Sequence, residues 1–559
     1  MSGLEADAAW LGPMPWLPVL APGWPLALLA ALFLPPLRRA FARLAPWAAL
    51  PALILALAAP PSTLPLPGLM LGGSLQLDAT GRWVLAAVAL LWLAGSWLAR
   101  DWLGEPRRAA AWLLALAGAL WLPVAGDLPT AMAASVLATY PLYGLLGAGR
   151  GARVLLATVV IADLLILEAL LLLAKGDAGL DFDGLRAALA EVKGRDIVLA
   201  LLLIGFGAKA GLMGLHYWLA PALANAPASQ LGPTLAFTLA AGVLPLLRLL
   251  PLGEASWPTA TALLPWLALA GGIWAVAAGL LQAAPRARTA YALSALVSLW
   301  LALMGIELAM LSSATAITSV LPPAVALSGV GVAALLLTDA GANREGRFVT
   351  WALALPAALL ALLAALGTAL PLLAGDGGVP WPLFGSLACV GIMLGASAIV
   401  PAPTAGQAAP GRELRAAAVL VATGLCMAVV AILPGADTPS ALGAASGSRI
   451  VLVITALLGG FGFGLAAVPA LARLPRVPAG DLLWPIERAA AGLLVAWNRL
   501  GAMLGRWRDQ FQEAAERLRR YLKQQRGING AEARLRRWSM ATLLLLVVGA
   551  AVALLMQTG

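Results

Sequence analysis

The chain alternates long apolar runs with short polar links. The runs are about 20 residues each, the length that crosses a hydrocarbon core as a helix. They predict about 16 spans, at residues 16–35, 44–60, 82–99, 108–125, 129–148, 153–174, 197–216, 230–250, 258–282, 289–311, 314–337, 348–374, 381–401, 414–434, 450–471 and 538–556. Lipid offers the backbone no hydrogen-bond partners, so only helices and closed barrels span it. The runs are continuous rather than ten-residue alternations, and that selects helices. The expected fold class is an all-α polytopic membrane protein of about 14–16 transmembrane helices.

One segment departs from the pattern. Residues 481–537 open with DLLWPIERAAAGLLVAWNRL and continue with GRWRDQFQEAAERLRRYLKQQRG, which is too charged to span. Trp507, Phe511, Ala514, Leu518 and Tyr521 recur at a helical period and make one apolar face. An unbroken helix over 483–526 would run about 65 Å at 1.5 Å per residue. Two readings stand: a cytoplasmic linker helix, or an amphipathic lateral helix lying along the membrane against neighbouring helices or a partner. Gly527 and Gly530 end it, and the final span follows.

Composition agrees with the pattern. Hydrophobic residues make up 62% of the chain and charged residues 11%, against about 25% charged in soluble domains, and the mean hydropathy is +0.91. The net charge of +10 reads as topology rather than nucleic-acid binding, because the arginines gather in short loops. Arg38, Arg39 and Arg43 follow the first span; Arg100, Arg107 and Arg108 the third; Arg150 and Arg153 the fifth. Arg286 and Arg288, Arg344 and Arg347, Arg412 and Arg415, and Arg473 and Arg476 follow the ninth, eleventh, thirteenth and fifteenth. Both termini are therefore expected on the non-cytoplasmic side of a bacterial-type inner membrane. The start of the chain lacks the basic run and cleavage site of a signal peptide. Cys389 and Cys426 lie in separate apolar runs and suggest neither a disulfide framework nor a metal site.

Charged groups at membrane depth are costly and mark a pathway or a partner. The candidates are Asp163, Glu168, Lys209 and Glu307, with His216, the only histidine. From the cytoplasmic ends of their spans, Lys209 lies about 10 Å deep, Asp163 about 15 Å and Glu168 about 22 Å. Asp163 and Glu168 are about 140° apart around their helix and do not share a face. Similar depth on adjacent spans favours Asp163 as the partner of Lys209, either as a static tie or as part of a proton relay. Glu307 lies toward the outer end of its span, where it either reaches water or joins a pathway. His216, at the cytoplasmic end of its helix, is either a packed or capping residue or a relay. Pro221, Pro227, Gly232 and Pro233 follow and favour a broken helix, tolerated at depth only beside protein or a water-filled cavity.

These residues carry a resemblance. Lys209, His216 seven on, Trp218-Leu219, the proline-rich break at Pro221 and Ala226-Pro227, and AAGVLPLLRL with Gly242 and Arg248 resemble the antiporter-like membrane subunits shared by respiratory complex I, membrane-bound hydrogenases, formate hydrogenlyase and Mrp-type cation/proton antiporters. LPGLMLGGSLQLDATGRW with Asp78, DLPTAMAASVLATYPLYGLL and AYALS resemble the segments before or within the third, fifth and tenth helices of that family. The resemblance implies an antiporter-like domain over 1–480, a lateral helix over 481–537 and an anchor span over 538–559. It also implies a fifth-helix glutamate facing the lysine, but alignment on Pro141-Leu142-Tyr143 puts Val136 there. The polar positions of the eighth helix read Ser229, Thr234 and Ala240. The second half of the family's fold carries a further histidine and lysine; here 314–337 has Pro322-Pro323 and no basic residue, and 348–374 has no charge.

The expected function is ion translocation, of protons in the first instance, as a subunit of a complex-I-like or hydrogenase-like energy-converting complex. Two alternatives stand beside it: a structural scaffold with a degenerate channel, and the membrane half of a two-component inorganic-carbon uptake system that binds a soluble zinc protein. The chain has no Cys cluster, haem-ligand pair or Gly-rich nucleotide loop, so no cofactor of its own is expected and any redox chemistry belongs to other subunits. The expected partners are the lipid bilayer and the membrane and peripheral subunits of the complex, with no nucleic acid.

Overall fold

A computed structural model of the chain describes residues 14–37, 43–67, 72–147, 149–174, 179–212, 214–253, 255–308, 314–341, 347–369, 381–399, 411–432, 447–471, 474–477, 483–524 and 546–547. It divides into two compact units, residues 1–483 and 484–559.

The first unit is almost entirely helical. In chain order its first elements are α1 (Leu20–Phe33), α2 (Leu50–Ala58), strands β1 (Ser62–Pro65) and β2 (Ser74–Leu77), α3 (Ala79–Ala99), α4 (Pro106–Val124), α5 (Leu128–Leu146), α6 (Arg150–Leu173), α7 (Phe182–Glu191) and α8 (Arg195–Ala210). After a 3-10 turn (His216–Trp218) come α9 (Leu219–Asn225), α10 (Ala228–Phe237), a π segment (Thr238–Val243) and α11 (Leu244–Leu249). The rest are α12 (Pro258–Leu280), α13 (Pro285–Glu307), α14 (Ala314–Ala340), α15 (Arg347–Ala369), α16 (Trp381–Ala398), α17 (Arg412–Ile432) and α18 (Gly447–Ala470). Among the described residues nine helices are long and apolar enough to cross a membrane, and the shorter apolar helices Leu17–Phe33 and Ala45–Ala58 occupy the first two expected spans. This is a multi-pass membrane protein. The expected span at 538–556 lies outside the described residues, save 546–547.

Between lipid-facing helices close packing, not water exclusion, drives association, and small residues permit it. Gly391 and Gly395 on α16 and Gly460 and Gly464 on α18 each lie against the backbone of the other helix. The Trp112 indole donates to Ser96 Oγ at 3.0 Å and stacks edge-on with Trp92.

The cap at one end of the bundle was not legible as elements. β1 and β2 form an antiparallel hairpin, and α7 lies in the link between the sixth and seventh expected spans. Asp127 caps α5 by accepting from the Thr130 amide at 2.7 Å, and it also accepts from the Ser74 amide on β2. Asp78 caps α3 through the Gly81 amide at 2.6 Å.

The second unit is described over α19 (Leu483–Gln524), an unbroken helix of 42 residues. Its large apolar residues, among them Leu493, Trp497, Trp507, Phe511 and Leu518, are exposed. Trp507 and Phe511 stack one turn apart with ring centroids 6.4 Å apart.

Candidate functional site

The seventh span ends sooner than its hydropathy suggests. The apolar run continues to His216, but α8 stops at Ala210 because Gly211 takes φ +77°, a left-handed conformation that glycine adopts without Cβ strain. The Gly211 amide donates to Ala208 O at 3.3 Å and the Leu212 amide to Gly207 O at 2.8 Å, the paired bonds of a Schellman ending. The break thus precedes the prolines expected to make it. Trp218, fully buried, then folds back and donates its indole N–H to Ala208 O at 2.7 Å, a second and shorter bond to a carbonyl that the helix end otherwise leaves with only the long Gly211 contact. That contact accounts for the tryptophan nine residues after the lysine.

Lys209 therefore occupies the last turn of α8, where the helix dipole favours a cation. Its side chain is 1% exposed. Its ammonium lies 2.5 Å from Asp163 Oδ1 on α6 and donates to Ser135 Oγ on α5 at 3.0 Å. The Phe206 ring centroid is 5.9 Å from Nζ. Val136, at the position where the family acid was expected, is exposed and turned away; its neighbour Ser135 supplies the fifth-helix contact instead. Asp163 is 18% exposed, so the pair is buried on its lysine side and borders the perimeter on its carboxylate side.

The π segment closes over this centre. The wide turn in the eighth span brings Gly242 against the backbone of Ala210, the residue after Lys209, at a distance that leaves no room for a side chain. π-bulges inside helices recur at functional sites. The hydroxyls of Thr234, one turn before it, and Thr238, its first residue, donate to the carbonyls of Gln230 and Leu235 at 2.8 and 2.7 Å. Six residues on, buried Arg248 crosses to the other end of the chain's first helices. It donates to Ala125 O at 2.7 Å, to Pro123 O at 2.8 Å and to Asp78 Oδ1 at 2.7 Å. The arginine that closes the Gly242…Arg248 motif is thus a tie between α11, the α4–α5 link and the cap of α3. A cavity of about 130 Å³ adjoins it, lined in part by Thr80, Asp183, Arg186 and Leu321.

The other candidates lie apart from the pair. His216 opens the 3-10 turn, buried, with its ring edge-on to Tyr291 of α13 at 5.2 Å between centroids. The neighbouring Tyr217 hydroxyl lies 3.2 Å from Thr158 Oγ1 on α6. Glu307 is fully buried at the C-terminal end of α13. Glu168 shares α6 with Asp163 but is exposed on its outward face. A second polar cluster was not expected: Arg286 lies 3.7 Å from Asp339 at the end of α14, and Arg288 donates to Ala396 O at 3.1 Å. The arginines were visible as loop charges, but their burial against α14 and α16 was not. Among the described residues no three His, Cys, Asp or Glu side chains are grouped to hold a metal ion.

Outside the bilayer, Asp101 in the α3–α4 link pairs with Arg412 at the start of α17. The hydrogen bond from that guanidinium holds the Asp101 carboxyl below the usual carboxylate range.

Residues 127–376 match the family model described as NADH:quinone oxidoreductase/Mrp antiporter, transmembrane. No curated protein matches the chain. The fold is similar to that of a chain in the structure of the Mrp complex from Dietzia sp. DQ12-45-1b, with a TM-score of 0.56 and 16% identity, covering 82% of this chain and 100% of that one. It is also similar to a chain of the membrane-bound sulfane sulfur reductase, an archaeal respiratory membrane complex, with a TM-score of 0.60 and 16% identity, covering 96% of this chain and 100% of that one.

Proposed function

We propose, for a chain that belongs to the complex I/Mrp antiporter transmembrane-subunit family, that it translocates protons as one subunit of a multisubunit energy-converting membrane complex, and that Lys209 and Asp163 are its protonatable centre. The similar structures are subunits of multisubunit membrane complexes, which supports assembly with partners. The observation that carries the transport reading is the placement of a buried ammonium at a helix break, 2.5 Å from a single carboxylate.

In the ion-pair state Lys209 holds the proton and Asp163 is a carboxylate. Moving one proton along their hydrogen bond gives the neutral pair, and a carboxylic acid at the edge of the bundle is then free to pass the proton on. Ser135 Oγ steadies Nζ in either state, since a hydroxyl both donates and accepts. The orientation that fits the arginine pattern puts both termini on the non-cytoplasmic side, and cysteine labelling at Ala409 and Gly559 tests it: Gly559 labelled only from the cytoplasm contradicts it.

A scaffold without transport is the second reading. It is favoured by α15, which carries no charged residue after Arg347, and by α14, whose single charge is Asp339 at its end. Lys209→Met in the reconstituted complex separates the two. Transport predicts loss of proton movement with assembly intact; pumping at the unmutated rate leaves the scaffold reading standing.

A further inference from the structure

The second acid of α6 points the other way from the first. Arg150–Leu173 turns an apolar stripe outward: Ile161, Leu164, Leu167 and Leu171 are all exposed, with Leu164 at 61% and Leu171 at 54%. At about 100° per residue, Glu168 falls within about 40° of the centre of that stripe, and Asp163 about 100° from it. So Glu168 is a carboxylate on the outward face of a membrane-spanning helix. Among the described residues it forms no ion pair, whereas Asp163 pairs inward with Lys209.

Escape to the membrane surface is a poor solution for this residue. Glu168 lies five residues from the helix C-terminus, about 7.5 Å at 1.5 Å per residue. In an α-helix the Cα–Cβ bond tilts toward the N-terminus, and α6 begins with Arg150 and Arg153 on the far side of the bilayer. The side chain therefore starts toward the membrane interior, away from the nearer surface. Glutamate also lacks the long stem with which lysine and arginine snorkel. Ionisable residues inside the membrane are found paired or facing protein and water rather than lipid.

We propose that the outward face of α6 is a subunit interface, covered by a transmembrane helix of a partner subunit that places a lysine or arginine against Glu168. The inference rests on the reading of this chain as a subunit of a larger membrane complex and names the face by which it joins. Charge complementarity selects the occupant: a basic side chain satisfies the carboxylate, while Leu164, Leu167 and Leu171 give it an apolar surface for packing on either side. The exposed edge of Asp163 borders this interface, so the partner would also seal that flank of the Lys209 pair.

The test uses the complex purified from native membranes through a tag on this chain. A photo-crosslinking amino acid at Leu164 or Leu171, with Glu168 unchanged, should give an adduct with a membrane partner, and the same probe at Leu263 on α12 should not give that adduct. Glu168→Lys should cut retention of that partner at least tenfold, with the chain still inserted, and reversing the facing cation to glutamate should restore it. Glu168→Gln should cut retention severalfold. Adducts at Leu164 and Leu171 confined to lipid or to this chain's own residues overturn the proposal, as does full retention with both Glu168 variants. If the unmutated chain purifies with no other membrane protein, the subunit reading itself falls; if partners purify but do not crosslink to α6, only the assignment of this face falls.

Discussion

Removing the Asp163 carboxylate tests whether Lys209 is a desolvated cation that depends on it. Lys209 has two polar partners, Asp163 Oδ1 and Ser135 Oγ. Asp163→Leu leaves a side chain of 1% exposure holding a full charge with one neutral acceptor. Breaking a buried pair from one side costs about 3–5 kcal/mol, whereas replacing both partners with apolar groups of similar volume is often neutral or stabilising by about 1–4 kcal/mol. The 18% exposure of Asp163 argues for the lower end of the first range. Asp163→Leu should therefore destabilise by about 3 kcal/mol, and the double variant Asp163→Leu/Lys209→Met should return close to the unmutated protein. Closed by Lys209→Met alone, the cycle then gives a coupling energy of at least about 3 kcal/mol, the sum of the two single costs when the double variant is neutral, far above the few tenths expected of independent sites. Ser135→Ala should cost about 1 kcal/mol, the net worth of one hydrogen bond. Unfolding in mixed micelles titrated with dodecyl sulfate, followed by the fluorescence of the 21 tryptophans, reads all four. A change below about 0.5 kcal/mol for Asp163→Leu alone, the size of an ordinary surface substitution, would refute the account of a buried charge balanced by this carboxylate.

Other sites give simpler expectations. Arg248→Lys should destabilise by about 3 kcal/mol in the same titration, because a lysine cannot reproduce the fork that joins Asp78 to two backbone carbonyls; a neutral outcome would contradict that tie. Gly211→Ala should cost about 1–2 kcal/mol for the left-handed conformation, and more where the added Cβ meets Leu219; an unchanged midpoint would mean that α8 does not end there. Asp101 has a depressed carboxyl in the folded state, so its contribution is present above the unfolded value near about 4 and is lost as pH falls through the lower folded value. Arg412→Ala should thus weaken the protein slightly at neutral pH, by less as pH falls through the lowered folded value of Asp101, and hardly at all in about 1 M salt; an effect that neither acid nor salt diminishes would rule out the charge pair as the cause.

The parts of this molecule legible in its sequence are those set by length and periodicity. A 20-residue apolar run states a helix almost regardless of what it touches, and a five-residue spacing states that Asp163 and Glu168 face apart. What was illegible depends on a single dihedral or a rotation. Hydropathy averages over a window and does not register one left-handed residue, so the end of α8 at Gly211 was hidden inside an apolar run that continues to His216. The contact of Lys209 with Ser135 sits one position from Val136, where the family pattern puts an acid, and a one-residue step on a helix is a rotation of about 100° that sequence alignment cannot weigh. Asp78 and Arg248 were each visible within motifs, but 170 residues separate them, and no local signal announces that they meet. The hairpin strands are too short to show a period, and the apolar face of α7, Phe182, Leu185 and Leu189, spans only 10 residues, well short of the runs of about 20 residues that state a span.

The central claim is that the Lys209–Asp163 pair changes its protonation state rather than standing as a fixed tie. Infrared difference spectra of the reconstituted complex, recorded across a step in pH, measure this directly. The account predicts a protonated-carboxyl band that appears and disappears with the step and is absent from both Asp163→Asn and Lys209→Met, while Glu168→Gln retains it. Spectra identical in the carboxyl region for the unmutated complex and Asp163→Asn would contradict it.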